Sequence, residues 1–558
     1  MKRLPVLAGL SIFFHRVCPS GGRLIVIALL SGATGLASTP GTTQTLSGVV
    51  FVDQNSNGRR DAAEPGLAGV LVSSGTAVVS TDKAGRYSLP VRERSAVFVV
   101  KPPGYTLPRG EHNLPVFHRL HWPKGNGEEL RYGGVPATGD LPEHHDFALL
   151  PSVSKDAFSV LLVADPQVHN RTQIGYYERR FIEELSTRTD FAFGVMLGDI
   201  VRNDLSLFEP YLPVNARLPG PIFHVVGNHD IDYDATSLTT AVATFNHNFG
   251  PANYALMEGA VVFIVLNNVY TPLPGETKAG GEYTGGLTAD AEAFVTNLLP
   301  RVPVDRLIVL CQHIPFVPGP ARPSAHRPAD QHRLLELLQG RRVLALAGHT
   351  HTQWHSFLGE ESGWRGTEPL RQWVVGTASG SWWGGAPDRD GLPTAIMKDG
   401  TPPGYGILHL KGTDYRFEYR VPGHPLEHQL NVVSPRHVVA RERDQAIQVN
   451  VFNGSSRTEV AYRVRPVSDT WILLQHAPGI DAEYAGRAWQ RDTSEVPLPG
   501  TRLPPPAESL HLWHGSLPRS LPVGSYEIEV RVRDEWGVET FARRPLDVHP
   551  ATLPYGRN

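Results

Sequence analysis

Apolar and polar residues alternate in the first hundred residues after position 45, and turn residues separate the apolar runs. The runs are short and fall at 48–52, 69–72, 77–79, 87–89 and 96–100. Strands of this length and spacing are typical of a β-sandwich, in which each strand buries one face. We therefore assign residues 38–150 to an N-terminal β-sandwich that begins with a Ser/Thr/Pro/Gly linker at 38–45.

The pattern changes between residues 156 and about 355. Compact apolar runs of strand length alternate there with helical stretches such as 175–186 and 289–299. This order predicts an α/β layer around a largely buried sheet, within a central domain that we place at 151–424. Alternation returns at 446–451 and 526–532, which predicts a second β-rich domain over residues 425–558.

Polar residues follow five of the central apolar runs at the point where each run ends. The runs are 161–164, 193–197, 222–226, 307–310 and 343–347, and the residues able to bind metal are Asp165, Gln167, Asp199, Asn228, His313, His349 and His351. The carboxyl ends of strands in an open α/β sheet form its site, so these side chains are expected to converge. Gly198, Gly227 and Gly348 each precede a candidate ligand and allow close approach of the backbone.

The donor set consists of carboxylate, amide and imidazole groups and lacks a thiolate. This favours Mn, Fe or catalytic Zn over a structural zinc site. Seven donors exceed the need of one ion with an open position, so two ions that share a carboxylate fit better. A single histidine at a strand end is more often a hydrogen-bonded structural residue. Three histidines together with two Asp, an Asn and a Gln weigh against that interpretation.

These motifs, in this order, resemble the motif series of the calcineurin-like metallophosphoesterases. The series consists of Asp165-x-Gln167, Gly198-Asp199, Gly227-Asn228-His229-Asp230, His313 and Gly348-His349-x-His351. The resemblance implies a four-layer α/β sandwich core. The order of the domains resembles that of a bacterial subfamily in which an N-terminal β-domain precedes the core and a C-terminal domain follows it. It also implies hydrolysis of a phosphomonoester or phosphodiester.

The resemblance further implies a role for each residue. Asp165, Gln167 and His351 would hold a first metal, Asn228, His313 and His349 a second, and Asp199 would bridge the two. A hydroxide between the ions would be the nucleophile. His229 would be the catalytic histidine, which donates a hydrogen bond to the phosphoryl oxygen or protonates the leaving group.

The chain departs from the family pattern in two places. Gln167 stands where many relatives have His, and its neutral amide is a weaker ligand that predicts a loosely held first metal. In the protein phosphatase branch Gly-Asp is followed by x-x-Asp-Arg, which this chain lacks. The group that orients His229 could then be Asp204, Asn203 or Asp230, and protein phosphatase activity is disfavoured.

Two flanking segments carry further candidate sites. The loop at 53–64 has oxygen donors at EF-hand-like positions and resembles the loop of a surface-protein B-type β-sandwich, which predicts a structural Ca²⁺. Its ligands would be Asp53, Asn55, Asn57, Asp61 and Glu64; the alternative is an Asn/Gly turn that closes a hairpin. The Gly/Trp/Asp-rich stretch 378–405 predicts a substrate loop over the site, with Trp382, Trp383, Asp388 and Asp390, unless both Trp pack between domains.

The N-terminus and the net charge bear on location and partners. Residues 1–37 have a basic start, an apolar run at 24–30 and small residues at 35–37, which predicts a cleaved signal peptide and a periplasmic or extracellular protein. A retained anchor helix is the alternative, and only then would the chain contact a membrane. With 52 basic and 55 acidic residues among 558, no nucleic-acid partner is expected.

The expected substrate is therefore a small-molecule, lipid or sugar phosphate ester. Another class of function stays open, namely a cell-surface or periplasmic binding module with a vestigial metal site, although the complete ligand set and His229 argue against it. A nuclease is a third hypothesis, which the near-neutral charge disfavours because binding to a phosphate backbone uses clustered Lys and Arg.

Overall fold

A computed structural model describes the fold over residues 43–271, 283–317, 319, 328–440, 445–494, 496 and 498–550. The predicted signal peptide at 1–37 lies outside the described residues. Among the residues that the structure describes, no helix has both the length and the apolar character that are needed to cross a bilayer.

The N-terminal region forms two packed four-stranded sheets. Its strands β1 to β8 are Gln44–Val52, Leu71–Ser73, Val78–Ser80, Arg86–Val91, Ser95–Val99, Tyr105–Thr106, His118–His121 and Phe147–Pro151. The sheet orders are β4-β1-β8-β6 and β3-β2-β5-β7. Leu46 and Leu89 of the first sheet and Val72 and Val97 of the second are buried in one apolar cluster. The predicted β-sandwich strands are thus built by alternate residues that face a shared core.

The central region contains two larger sheets. Strands β9 to β21 are Ala157–Val163, Phe193–Met196, Ile222–His224, Tyr254–Glu258, Val261–Val265, Val269–Tyr270, Thr284–Gly285, Leu307–Cys311, Arg342–Ala347, Trp354–Leu358, Leu370–Val374, Tyr405–Lys411 and Asp414–Arg420. One sheet has the order β11-β10-β9-β20-β21 and the other β12-β13-β16-β17-β19-β18, while β14 and β15 form a separate pair. Strands β9, β10 and β11 are parallel in the first sheet, as are β13, β16, β17 and β19 in the second.

Helices cover the outer faces of these sheets. Helices α1 to α7 are Arg171–Tyr177, Glu183–Leu185, Phe208–Asn215, Ala243–Phe249, Ala289–Leu298, Pro328–Leu337 and Ala482–Thr493. A π-helical turn at Glu178–Ile182 joins α1 to α2, so the predicted helix at 175–186 begins earlier than expected and is not regular. Its start is fixed by Asn170, whose side chain caps α1 by accepting a hydrogen bond from the Gln173 backbone.

The layers follow from the alternation of side chains along β9. Val160 and Leu162 lie in the cluster between the two sheets, whereas Leu161 and Val163 lie in the cluster beneath α1 and α3. Both faces of the strand are buried, which explains its unbroken apolar sequence. Helices α5 and α6 cover the second sheet through residues such as Phe294. The four-layer α/β sandwich is confirmed.

The five predicted strand runs do not share one sheet. Three of them form β9, β10 and β11 of the first sheet, and two form β16 and β17 of the second. A hydrophobic pattern shows that a strand is buried but not which strand it pairs with. The site is therefore built where the carboxyl edges of two stacked sheets meet.

The C-terminal region is again β-rich. Strands β22 to β32 are Leu430–Val433, His437–Val439, Ala446–Val451, Glu459–Arg465, Ile472–Leu473, Gln475–His476, Gly479–Ile480, Glu508–Ser509, Leu512–Ser516, Gly524–Arg533 and Glu539–His549. They form a four-stranded sheet, a five-stranded sheet and a short pair. Val449, Trp513 and Val530 are buried between the two larger sheets. The predicted fold class, an α/β core with β-rich flanking domains, is confirmed.

A charged cluster on the β20–β21 hairpin links stability to pH. Glu418 lies 3.2 Å from His409 Nε2 and also accepts a hydrogen bond from Arg420. Burial alone would raise the pKa of Glu418, but its hydrogen bonds with His409 and Arg420 outweigh burial and lower the pKa to about 2.

Candidate metal centre

The predicted ligands meet at the carboxyl edges of the two central sheets. Each lies within a few residues of the end of a buried strand, and each contacts another member of the set. They are Asp165 and Gln167 after β9, Asp199 after β10, Asn228 after β11, His313 after β16, and His349 and His351 after β17. Every one of these residues is at most 2% exposed. The sequence-predicted donor set is therefore one buried cluster.

The backbone at this cluster is strained. Non-glycine residues rarely adopt positive φ, yet many of those that do so here are at the site. They are Asp165 (45°), Gln167 (38°), Asp199 (51°), Asn203 (65°), His349 (75°), His351 (52°), Trp382 (54°) and Trp383 (56°). Strain of this kind clusters where a structure holds side chains for a function.

Three glycines let the strand ends interlock. A Cβ at Gly227 would lie 2.2 Å from Asp199 Oδ1, and one at Gly348 would lie 2.4 Å from Asp165 Oδ2. A Cβ at Gly198 would lie 2.6 Å from His313 Nδ1. Each glycine thus leaves the space that a ligand from a different motif occupies, which is why glycine precedes three of the ligands.

Four donor atoms converge in one half of the cluster. His313 Nε2 lies 3.2 Å from Asp199 Oδ1, 3.2 Å from Asn228 Oδ1 and 3.3 Å from His349 Nδ1. His313 Nδ1 donates a hydrogen bond to the Leu197 carbonyl at 2.7 Å. Because Nδ1 carries the proton of this bond, Nε2 of a neutral ring has a free lone pair. That lone pair faces the Asp199, Asn228 and His349 donor atoms, as in metal-binding histidines whose other nitrogen is hydrogen-bonded.

The electrostatics of this half require positive charge. Burial would lower the pKa of His313, but the Asp199 carboxylate outweighs it and raises the pKa to about 9. Burial would likewise raise the pKa of Asp199, but His313 and His229 hold it well below its usual range. The buried Asp199 carboxylate thus favours a positive charge among these donor atoms, and a bound metal ion would supply it. The residues present fit a transition metal ion.

The other half of the cluster is built around Asp165. Its carboxylate oxygens accept the His349 backbone N–H at 3.1 and 3.0 Å, and His351 Nε2 lies 3.7 Å from Asp165 Oδ1. Gln167 Nε2 donates to Asp199 Oδ2 at 2.8 Å, and within the described residues its buried Oε1 accepts no hydrogen bond. Asp199 therefore presents one oxygen to each half, as a shared ligand would.

His229 lies at the mouth of the cluster rather than inside it. Its side chain is 18% exposed, and its Nε2 is 4.0 Å from Asp199 Oδ2. Its Nδ1 donates a hydrogen bond to Asn203 Oδ1 at 2.6 Å. The sequence leaves Asp204, Asn203 and Asp230 open as the residue that orients His229, and in the structure Asn203 makes the hydrogen bond to the ring. Asp204 caps the turn at Ser206 instead, and Asp230 accepts backbone bonds from residues 200, 201 and 227.

The predicted substrate loop divides into two parts. Trp382 stacks on the His351 ring with the centroids 4.3 Å apart, and His351 Nδ1 donates to the Gly380 carbonyl at 2.5 Å. Trp383 is buried and donates through Nε1 to the Pro166 carbonyl at 2.9 Å. Both Trp thus pack on the site and support its ligand loops.

The two aspartates of the same stretch are placed elsewhere. Asp388 forms a 2.7 Å ion pair with Arg180, and the Asp390 carbonyl accepts a bond from Arg179. Both arginines belong to the turn between α1 and α2, so this part of the loop is held on that turn. The role of Asp388 and Asp390 in binding substrate stays a prediction.

The predicted calcium loop closes on its own backbone. Asp53 accepts the N–H groups of Asn57 and Gly58, and Glu64 accepts those of Gln54 and Asp61. Asp61 also accepts bonds from the side-chain amides of Asn55 and Asn57. The five predicted ligands are therefore gathered in one loop after β1, and calcium binding there stays a prediction.

Sequence comparison identifies the family to which these features belong. Models of the calcineurin-like phosphoesterases match the chain with their N-terminal part over residues 54–133 and with their C-terminal part over residues 372–540. The matched segments flank the strands that carry most of the donor cluster. Both matches support the calcineurin-like phosphoesterase family. Together with the cluster of Asp199, His313 and His349, they support metal-dependent hydrolysis of phosphoesters.

Solved structures resemble this chain only distantly. A purple acid phosphatase from yellow lupin (Lupinus luteus) seeds is 12% identical with a TM-score of 0.35, over 68% of this chain and 67% of that chain. CopC from Methylosinus trichosporium is 15% identical with a TM-score of 0.13, over 22% of this chain and 95% of that chain. Both TM-scores are low, and neither similarity bears on the activity. No curated protein sequence matches the chain.

Sequence reasoning missed two aromatic side chains at the site. Tyr233 donates its hydroxyl to the Asn228 carbonyl at 2.6 Å, and the Tyr283 ring lies edge-on to His349 at 5.7 Å. Each touches a predicted ligand, but neither stands in a recognisable motif. Only the closeness of Tyr233 to the Asn228-His229 motif could have suggested it.

Proposed function

We propose that this phosphoesterase hydrolyses a phosphomonoester or phosphodiester with two transition metal ions, Mn, Fe or Zn. The observation that carries the proposal is the position of Asp199, with Oδ1 in one donor group and Oδ2 in the other. The carboxylate is acceptor-only when ionised, and its lowered pKa keeps it so.

The donor atoms divide into two sets that share Asp199. Asp165, Gln167 and His351 would hold the first ion, with the Gln167 amide turned so that its oxygen faces the metal. Asn228, His313 and His349 would hold the second. Two bound cations would supply a water of lowered pKa and neutralise the charge that develops on the phosphoryl oxygens.

His229 is the residue proposed to act on the substrate itself. Its position at the mouth, with Nδ1 committed to Asn203, leaves Nε2 directed toward the ligand cluster. From the imidazolium form, Nε2 donates to a phosphoryl oxygen or protonates the departing alkoxide. Because Nδ1 is held, the ring presents the same nitrogen in each turnover.

The substrate class and the location are proposed from the net charge and the N-terminal sequence. The near-balanced charge of 52 basic and 55 acidic residues supports a small-molecule, lipid or sugar phosphate ester rather than nucleic acid. The basic and apolar pattern of residues 1–37 supports export to the periplasm or beyond.

Hydrolysis of chromogenic esters after metal loading tests the proposal. Protein stripped of metal and reloaded with Mn²⁺ is expected to cleave p-nitrophenyl phosphate or bis(p-nitrophenyl) phosphate. Asp199→Asn is expected to lose more than about 100-fold in rate, because it removes the shared anionic ligand. Asp414→Asn, at a side chain that is 88% exposed, is the matched control and should keep the native rate.

Two outcomes would contradict the proposal. Equal rates for native protein and Asp199→Asn would show that Asp199 does not link two ions. Retention of metal without cleavage of any ester would favour the binding-module alternative.

A further inference from the structure

A segment of the N-terminal region lies against the active-site loops of the core. It follows β7, and its shape is set by Asn126, whose side chain donates to the Gly133 carbonyl and accepts the Val135 N–H. Trp122, Leu130 and Val135 are buried in one apolar cluster with Ala243 of α4. This segment, residues 126–135, is thereby held on the core by buried apolar contacts.

The same segment binds the loop that follows His229 in the chain. The Arg131 N–H donates to Asp234 at 2.8 Å, and the Gly134 N–H donates to Thr244 Oγ1 at 3.1 Å. Thr244 in turn donates its hydroxyl to Asp232 at 2.7 Å. The N-terminal segment therefore holds the loop that follows His229 at Asp234 and the start of α4 at Thr244.

The side chain of Tyr132 reaches the site itself. Its hydroxyl donates to the Asn203 carbonyl at 3.0 Å, and Asn203 Oδ1 accepts a hydrogen bond from His229 Nδ1 at 2.6 Å. The Asn203 N–H also donates to the His229 carbonyl at 3.2 Å. Asn203 thus lies between Tyr132 and His229 with a hydrogen bond to each.

Asn203 needs outside support for two physical reasons. Its φ of 65° lies in the left-handed region, where a non-glycine residue is not at its conformational minimum. Its amide is also neutral, so its bond to the His229 ring lacks the added strength of a carboxylate partner. A bond to its backbone carbonyl limits rotation of the residue and so limits movement of the ring that its side chain holds.

We propose that Tyr132 is a positioning residue that holds His229 through Asn203, so that the N-terminal domain completes the active site of the core. This inference rests on the proposed function and takes its acid form, because it assigns to Tyr132 the support of a histidine that protonates the leaving group of the phosphoester. Tyr132 does not touch the metal ligands in the described contacts, and it acts only through the orientation of the ring.

The variant Tyr132→Phe removes the hydroxyl and keeps the ring. The ring packs against the apolar cluster beneath the first sheet, and the Arg131 guanidinium lies 5.2 Å from its centroid. These contacts do not involve the hydroxyl, so the segment is expected to stay docked. Tyr526→Phe is the matched control, because Tyr526 donates an equivalent bond to the Pro522 carbonyl at 2.8 Å in the C-terminal region.

The assay compares aryl phosphoesters whose leaving groups range from p-nitrophenol to phenol, with Mn²⁺-loaded protein. Loss of one hydrogen bond of about 1 kcal/mol corresponds to about a fivefold change in rate. Tyr132→Phe is expected to lower kcat about fivefold on the phenyl ester and less on the p-nitrophenyl ester, with KM unchanged. A misoriented His229 slows the phenyl ester most, because phenolate is the poorer leaving group and needs the proton. General damage to the fold would instead lower the rates on all the esters by the same factor.

A double-mutant cycle tests whether the effect passes through Asn203. Asn203→Gly removes the side chain and tolerates a φ of 65°. In that background Tyr132→Phe is expected to have no further effect on kcat, since the ring is already released.

The outcomes separate the two proposals. Unchanged rates for Tyr132→Phe, an equal loss on every leaving group, or full additivity with Asn203→Gly would each overturn the inference while the native enzyme is active. If the Mn²⁺-loaded native protein cleaves no ester, the proposed function is wrong and the inference falls with it.

Discussion

The interlocking glycines give a sharp test of the site, and Gly348→Ala is the cleanest case. Gly348 is not among the glycines of positive φ, so alanine suits its backbone and the only cost is steric. The new Cβ would lie 2.4 Å from Asp165 Oδ2, where ordinary contact begins at 3.4 Å. The carboxylate must therefore move by the difference, 1.0 Å, or the strand end must open.

A movement of this size is large for a metal ligand. Ligand distances in metal sites hold to about 0.2 Å, and a displacement of about 1 Å near the chemistry costs on the order of 100-fold. The His349 N–H also donates to both carboxylate oxygens of Asp165, so Asp165 cannot swing away without disturbing that ligand too. We expect Gly348→Ala to lower kcat about 100-fold, or about 2.7 kcal/mol, and to lose one of two Mn²⁺ ions.

Metal analysis after dialysis, steady-state kinetics and thermal unfolding together measure this effect. Gly486→Ala, in α7 with no atom within 4 Å of the new Cβ, is the control and should keep both metal and rate. Overpacking of this kind costs about 1–3 kcal/mol, so the thermal midpoint of metal-free Gly348→Ala should fall below native while the protein stays folded. If Gly348→Ala retains native metal content and native kcat, then Asp165 is not a ligand whose position matters.

Two further predictions concern the Trp loop and the hairpin cluster. Trp382→Leu removes the stack on His351 and should release the first Mn²⁺ at lower chelator concentration than native; identical release curves would show that the stack is dispensable. Because the folded pKa of Glu418, about 2, lies below its ordinary 4.5, its stabilisation is present above pH 4.5 and is lost as pH falls toward 2. Urea unfolding should show that the free energy of unfolding of the native protein falls by up to about 3 kcal/mol more over that pH range than that of Glu418→Gln. If the free energy of unfolding depends on pH in the same way in both proteins, Glu418 does not stabilise the fold as its carboxylate.

The strand-end motifs could be predicted from the sequence because each combines independent local signals. A buried strand is recognised as an unbroken apolar run. A polar residue directly after it is informative, because a buried polar side chain must bind a ligand or form hydrogen bonds. The glycine before Asp199, Asn228 or His349 adds a third signal, which the structure explains by the clash that any Cβ would cause. Local sequence was sufficient for this part of the site.

Other features depend on backbone angles and pairings that local sequence does not display. The sequence alone does not distinguish Asn203, Asp204 and Asp230 as partners of His229, whereas the structure shows a hydrogen bond from the ring to Asn203, which has a φ of 65°. The ion pair of Asp388 with Arg180 is also not visible in local sequence, because the two residues lie far apart in the chain. Tyr132 had no signal at all, since its role depends on how the N-terminal segment docks on the core.

Anomalous diffraction from crystals of the Mn²⁺-loaded protein tests directly whether one buried cluster holds two metal ions. Two peaks per chain are expected, on either side of the Asp199 carboxylate. One peak should lie among Asp165, Gln167 and His351, and the other among Asn228, His313 and His349. A single peak, or peaks away from Asp199, would contradict it.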